Sequence, residues 1–297
     1  VMSTSGAQDR RARRNNQVLS KEEEKEHAAD VWKAKGKEIK NYVLHTAIKA
    51  VLASNGAWNV CTGVWILTWK WKDGAWCIKA RLCIRGFMDR QKQETHKYSP
   101  TATRVGQRLL LSMCAIHSWV AKSIDISAAF LQGIPLQDAG TKTGSTRRVW
   151  LRPPADCWEL LRELKALYGL ELPVKGYESH WLWVLLKAVY GLDDAPLLWR
   201  KEIGEFLESL GWVVGLLDKC CYYKRRGSGP GAQVKKGELI GFLTLHIDDE
   251  GVGGEDGVSE ELEEAMIQRY GPVQVQVTLW RHNGHEYEQW WNADGST

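Results

Sequence analysis

Apolar and polar positions along the chain fall into strand-like and helix-like runs separated by glycine-bearing polar breaks. The longest alternation, "VWILTWKWKDGAWCIKARLCIRGF" (64–87), reads as two strands joined at Asp73-Gly74, a dipeptide that favours a tight hairpin turn. Upstream, Ser20 and Glu23 form a capping box for a helix running to about Lys40, before an apolar patch. Residues 104–118 ("RVGQRLLLSMCAIHS") keep one continuous apolar side and predict an amphipathic helix. Residues 121–133 pass from strand to short helix, and 149–152 and 181–189 are further apolar runs. A helix is predicted over 195–212, with Pro196 in its first turn and Gly211 as its stop. Strands at 220–224 and 238–247 flank a polar loop, and a last helix spans 260–270, capped by Ser259 and ended by Gly271.

Composition narrows the class. At 297 residues, 44% hydrophobic and 26% charged, the chain is ordinary globular material, and one large domain or two interleaved lobes would suit its length. A net charge of +4 and a pI near 8.6 mildly favour an anionic partner. Many of the 16 tryptophans sit on apolar runs, and most of these read as core or half-core; a minority could stack on bases, since an aromatic face does either job. Seven scattered cysteines without a C-x-x-C pair support neither a disulfide framework nor a zinc site, and His282 with His285 reads as a surface pair. No run is long enough to span a membrane and the polar N-terminus lacks a signal-peptide core, so no membrane partner and an intracellular, cytoplasmic location are expected. Residues 1–17, with Arg10, Arg11, Arg13 and Arg14, read as a disordered basic arm. A heptapeptide echo, "LKALYGL" (164–170) and "LKAVYGL" (186–192), occurs only twice, too few copies for a repeat architecture.

The chemistry gathers around acids that interrupt apolar runs. "LTLHIDDE" (243–250) ends a strand-like stretch in Asp248, Asp249 and Glu250, with Asp248-Asp249 placed at a turn before "GVGG". Asp125 interrupts the apolar strand "SIDISAAF", where an unpaired charge is expensive. If these two strands are neighbours, Asp125 and Asp248 converge on hard cations that take oxygen ligands, and magnesium suits that set. Two such ions about 4 Å apart clamp an attacking hydroxyl and a leaving phosphate oxygen. Lys70, Lys72, Lys79, Arg81 and Arg85 ride on the hairpin, and Lys79 and Arg81 could neutralise a triphosphate. Residue types alone leave other readings open: strand-end acids are usually surface turns, basic hairpins are usually solvated faces, and a metal-dependent hydrolase needs only the acids and a water.

The ordered blocks "WILTWK", "KARLCIRGF", "YSPTATRVGQRLLLSMCAIHSW", "IDISAAFLQG", "VWLRPP", "LLKAVYGLDDAPLLW", "LLDKCCYYK", "LTLHIDDEGVGG" and "GHEYE" resemble the reverse transcriptase of copia-type long-terminal-repeat retrotransposons, over about residues 60–288. The resemblance implies an α+β right-hand polymerase fold, with an antiparallel palm sheet, a ferredoxin-like core, interleaved fingers and an absent or partial thumb. After the disordered arm at 1–17 and an N-terminal helical segment at 18–55, both read from the residues themselves, it implies a reverse transcriptase domain at 56–297. Within that domain the fingers would cover about 56–120 and 148–198, and the palm about 121–147 and 199–297. Asp125, Asp248 and Asp249 match the catalytic carboxylates, with the backbone carbonyl of Ile126 as a further ligand to two magnesium ions, for which manganese could substitute. Lys79 and Arg81 match triphosphate contacts. Phe130 matches the aromatic that crowds the sugar 2′ position, Tyr190 and Gly191 a segment beside the nucleotide pocket, and His246 the primer-contacting position.

The implied activity is RNA-directed DNA polymerisation on an RNA or DNA template with a DNA primer and deoxynucleoside triphosphates. The implied context is a Pol polyprotein with other domains, in the cytoplasm or within virus-like particles. Four positions depart from the family pattern: His246 stands where tyrosine is usual, Asp193-Asp194 where Lys-Gln is usual, and Glu250 where an apolar residue is usual. Asp193-Asp194 is expected to add negative charge near a polyanion, and the segment 155–180 is longer than the norm. The alternative is an inactive or repurposed fragment that keeps the fold and binds nucleic acid.

Overall fold

The hairpin expected at 64–87 forms, and its two strands run from Val60 to Lys72 and from Ala75 to Ile84, with Gly74 at φ 82° supplying the turn. The computed structural model describes residues 16–53, 56–72, 74–140, 147–277, 279–282 and 285–290, without the side chains of 279–282 and 285–286. Residues 1–15 of the basic arm, Asp73 and the side chains of His282 and His285 therefore lie outside the described residues.

In chain order the elements begin with α1 (Lys21–Glu26), α2 (Ala28–Leu44), β1 (Ile48–Leu52), β2 (Val60–Lys72), β3 (Ala75–Ile84) and α3 (Arg104–His117). There follow β4 (Lys122–Ile126), β5 (Trp150–Arg152), α4 (Asp156–Tyr168), β6 (Trp181–Leu185) and α5 (Ala195–Ser209). The last are β7 (Val213–Val214), β8 (Cys221–Arg225), β9 (Leu239–His246), β10 (Asp249–Gly254), α6 (Val258–Tyr270), β11 (Val273–Val277), β12 (Leu279–His282) and β13 (His285–Glu288). The chain divides into two units, residues 1–96 with 134–195 and residues 97–133 with 196–297. No helix among the described residues is long and apolar enough to cross a membrane.

The first unit carries a five-stranded sheet in the order β1-β6-β5-β2-β3, antiparallel except for β2 beside β5. The capping box at Ser20 and Glu23 is present, with reciprocal bonds of 2.9 and 3.2 Å. α2 follows and buries Ile39 and Tyr42 completely. Because α2 packs along β3, the segment expected to stand apart at 18–55 belongs to this unit. The two echo heptapeptides take different structures. "LKALYGL" ends α4, with Gly169 at φ 60° as its left-handed stop, whereas "LKAVYGL" lies outside any helix and turns at Gly191, φ 96°.

The second unit holds a wholly antiparallel six-stranded sheet, β11-β4-β10-β9-β8-β7. On one face, Ile124, Leu243, Leu245 and Val252 pack with Trp199, Ile203 and Met266 from α5 and α6. Another cluster joins Leu110 and Cys114 of α3 to Trp119 and Phe242. Asp249, expected with Asp248 at a turn, instead opens β10, and "GVGG" forms the body of that strand; its glycines allow close packing, since a Cβ at Gly253 would collide with Cys114 Sγ. Residues 97–120, expected with the hairpin, fall in the second unit because α3 packs on β9 and β10.

Candidate functional site

β10 lies between β4 and β9, and this placement organises the acids. Asp249 pairs in register with Asp125 on one side and with His246 on the other, while Gln274 of β11 lies beyond Asp125. Residues paired across an antiparallel ladder share a face, so Asp125, Asp249 and His246 occupy the same side of the sheet end. The expected convergence of Asp125 and Asp248 is conditional on Asp125's strand lying beside 240–247. The structure inserts β10 between those strands and makes Asp249 the cross-strand partner instead.

Asp248 belongs to the two-residue turn that joins β9 to β10. Its carbonyl accepts the Ile126 N–H at 3.0 Å, so Ile126 ties the turn to β4 through its backbone. Ile247, the other turn residue, sits at φ 61°, a costly conformation for a β-branched side chain. Its carbonyl accepts a 2.6 Å bond from Nε1 of the fully buried Trp199. The carboxylates are thus presented by a strained turn that buried neighbours hold in place.

Glu250 has the opposite fate from the acids beside it. One residue past Asp249, it faces the other way, beside Ile124 and Leu245, and is 0% exposed with neither carboxyl oxygen hydrogen-bonded. Burial drives its pKa far above the usual range, and the charges of Asp248, Asp249 and Asp125 add to the push. Its place in the core disfavours the charged form. The charges of all three aspartates act on this one group. Their oxygens suit a hard divalent cation. Among the described residues, however, no three acidic, histidine or cysteine side chains are already drawn together as a metal cage. Burial lowers the pKa of His246 although Asp248 opposes it, which leaves the imidazole mostly neutral at pH 7.

Phe130 lies in a short 3-10 turn (Ala129–Gln132) that begins after Ala128 at φ 55°, and it packs half-buried on the core of the second unit. Gln132 secures this turn by donating to the carbonyls of Ser127 and Tyr270 at 3.0 and 3.2 Å.

The remaining candidates lie in the first unit. Lys79 and Arg81, two residues apart on β3, share a face; Lys79 is exposed, and the Arg81 guanidinium lies 5.5 Å from the centre of the Tyr190 ring. Ile84 N–H donates to Tyr190 O at 2.8 Å, and this approach needs glycine on both sides. A Cβ at Gly86 would strike Gly191 O, and one at Gly191 would strike Ile84 O. The structure thus brings Arg81, Tyr190 and Gly191 together.

No known family profile matches the chain. It is 25% identical over 195 residues to the retrovirus-related Pol polyprotein from transposon RE1 of Arabidopsis thaliana, a match covering 65% of this chain and 11% of that protein. The match to the Pol polyprotein from transposon RE2 of the same plant is 25% over 210 residues, covering 69% and 12%. That to the Pol polyprotein from transposon TNT 1-94 of Nicotiana tabacum is 26% over 196 residues, covering 65% and 12%. The chain is homologous to transposon Pol polyproteins. It spans only 11 to 12% of their length.

Asp193 and Asp194 do not act as the sequence implied. Asp194 is buried and ion-paired to Arg147, which also binds Asp89; Asn59 donates to Asp89 at 2.8 Å, and Asp193 lies 3.3 Å from Lys92. Their charge is therefore largely compensated inside the first unit. Sequence reasoning passed over Arg147, Asp89 and Glu38, because their partners are distant along the chain.

Proposed function

We propose that this chain is the RNA-directed DNA polymerase portion of a copia-type retrotransposon Pol polyprotein, with a right-hand fold in which the second unit is the palm and the first contains the fingers. The observation that carries the reading is the register of Asp125 with Asp249 beside the strained turn bearing Asp248. Like charges directly opposite on a sheet destabilise it, so a fold that gathers them suits an oxygen-binding cation. Asp125, Asp248 and Asp249 would hold two magnesium ions, with manganese as a substitute and the Ile126 carbonyl as a further ligand. When bound, such ions activate the attacking hydroxyl and stabilise charge on the leaving phosphate.

The chain's own side chains supply the rest of the mechanism. Arg81, oriented by its stack on Tyr190, and Lys79 on the same strand face neutralise the triphosphate of a deoxynucleotide. Gly191 permits the close backbone approach that sets Tyr190. Phe130, held by its turn, crowds the sugar 2′ position and disfavours ribonucleotides. His246, neutral and in register with Asp249, lies against the primer terminus. The partners are an RNA or DNA template, a DNA primer and the other domains of a Pol polyprotein, in the cytoplasm or within virus-like particles.

The test is extension of a DNA primer on an RNA template with deoxynucleotides and magnesium, comparing the chain with Asp248→Asn. Extension that the substitution abolishes supports the assignment. A folded chain that extends nothing transfers the case to a non-catalytic, nucleic-acid-binding descendant.

A further inference from the structure

β3 is the outer strand of its sheet, so its outward backbone groups need partners from elsewhere. α2 provides them with two side chains one helical turn apart. Glu38 Oε1 accepts the Leu82 N–H at 3.2 Å, and Tyr42 Oη donates to the Leu82 carbonyl at 2.6 Å. Leu82 directly follows Arg81, so this clamp fixes the strand beside the guanidinium that stacks on Tyr190. The Arg81 Nε is buried without a hydrogen-bond partner. Glu38 is only 7% exposed. The titratable groups that face it are Tyr42 from α2 and Lys79, Arg81 and Cys83 from β3.

We propose that Glu38 is a positioning residue for Arg81, and that binding of a polyphosphate anion at Lys79 and Arg81 is coupled to uptake of a proton by Glu38. This rests on the reading of Lys79 and Arg81 as triphosphate contacts. Burial pushes the Glu38 carboxyl to about 7, against the Leu82 hydrogen bond and the charges of Lys79 and Arg81, which favour the ionised form. An anion placed on those cations offsets their field, and the carboxylate then takes a proton from the buffer onto one oxygen. Linkage is reciprocal, so the protonated form binds the anion more tightly by the same factor. No other bond changes.

The experiment is titration calorimetry of the full chain with inorganic tripolyphosphate, near neutral pH, in two buffers of different ionisation enthalpy. The wild type should take up a fraction of a proton per anion bound, and its Kd should weaken about fivefold from about pH 6 to about pH 8. Glu38→Gln keeps an oxygen to accept the Leu82 N–H, and should show only the titration of the ligand itself, which both proteins share. Equal proton uptake by wild type and Glu38→Gln overturns the coupling and leaves the anion site standing. Undiminished binding by Arg81→Ala shows that the anion sits elsewhere, which overturns the triphosphate reading of Arg81 and this inference with it.

Discussion

Asp125 and Asp249 stand directly opposite each other across β4 and β10, two carboxylates in register at one end of an antiparallel sheet. Like charges directly opposite on a ladder repel, by up to about 1 kcal/mol. Asp249→Asn removes one of the two charges and, with it, part of any site for a divalent ion. Magnesium should raise the wild-type midpoint, as any ligand of the native state does, and leave the variant nearly unmoved. Equal protection of both proteins in a thermal melt would remove the pair from any metal site.

Glu250 leads to a prediction of opposite character. Its carboxyl is fully buried and makes no hydrogen bond, although it sits one residue from the site. A buried polar group without a partner costs about 1 to 3 kcal/mol. Glu250→Leu, similar in volume and apolar like its neighbours Ile124 and Leu245, should be more stable by an amount in that range. Urea denaturation measures it, and a less stable variant would mean that the carboxyl has a role the packing does not reveal.

The acids of this sheet end also show where the sequence was legible. Asp125 and Asp248 stood out because each interrupts an apolar run, and the hairpin stood out because its alternation brackets Gly74. The helix at 104–117 was legible from its apolar side, and it is capped by Thr103 Oγ1, which accepts the Gly106 N–H at 3.0 Å. β10 was not legible. "DEGVGG" contains residues that disfavour strands, and it forms one because its neighbours pair with it and α3 needs its small residues. Without β10 the register of Asp125 with Asp249 and the inward turn of Glu250 were hidden too. The Arg147 ion pairs join residues 58 and 47 positions apart, a span over which local pattern carries no signal.

Glu38 gives the fold a pH dependence with a definite sign. Its carboxyl titrates near 4.5 when unfolded and at about 7 when folded, so the native state holds its proton more tightly. The stability it contributes is complete below about 4.5 and is lost as the pH rises through about 7, a swing of about 3 kcal/mol. The wild type should accordingly lose stability between pH 5 and pH 8, and Glu38→Gln should lose less by about that amount. Parallel stability curves for the two proteins would show that Glu38 is not the titrating group.

Arg147 is the most exacting place to test the first unit. Its guanidinium bridges Asp89 and Asp194, all three groups are buried, and Asn59 and the Gln91 N–H complete the contacts to Asp89 at 2.8 and 3.0 Å. Burial pushes the Asp194 carboxyl up, and the Arg147 charge is what opposes this. Arg147→Met strands two acids in the interior and should cost about 3 to 5 kcal/mol, measured by chemical denaturation. The loss should come chiefly from the stranded charges and only partly from a missing attraction. Combining Arg147→Met with Asp89→Asn and Asp194→Asn should therefore recover a substantial part of it, because the amides carry no charge to desolvate. A triple variant as unstable as the single one would show instead that Arg147 matters for its packing.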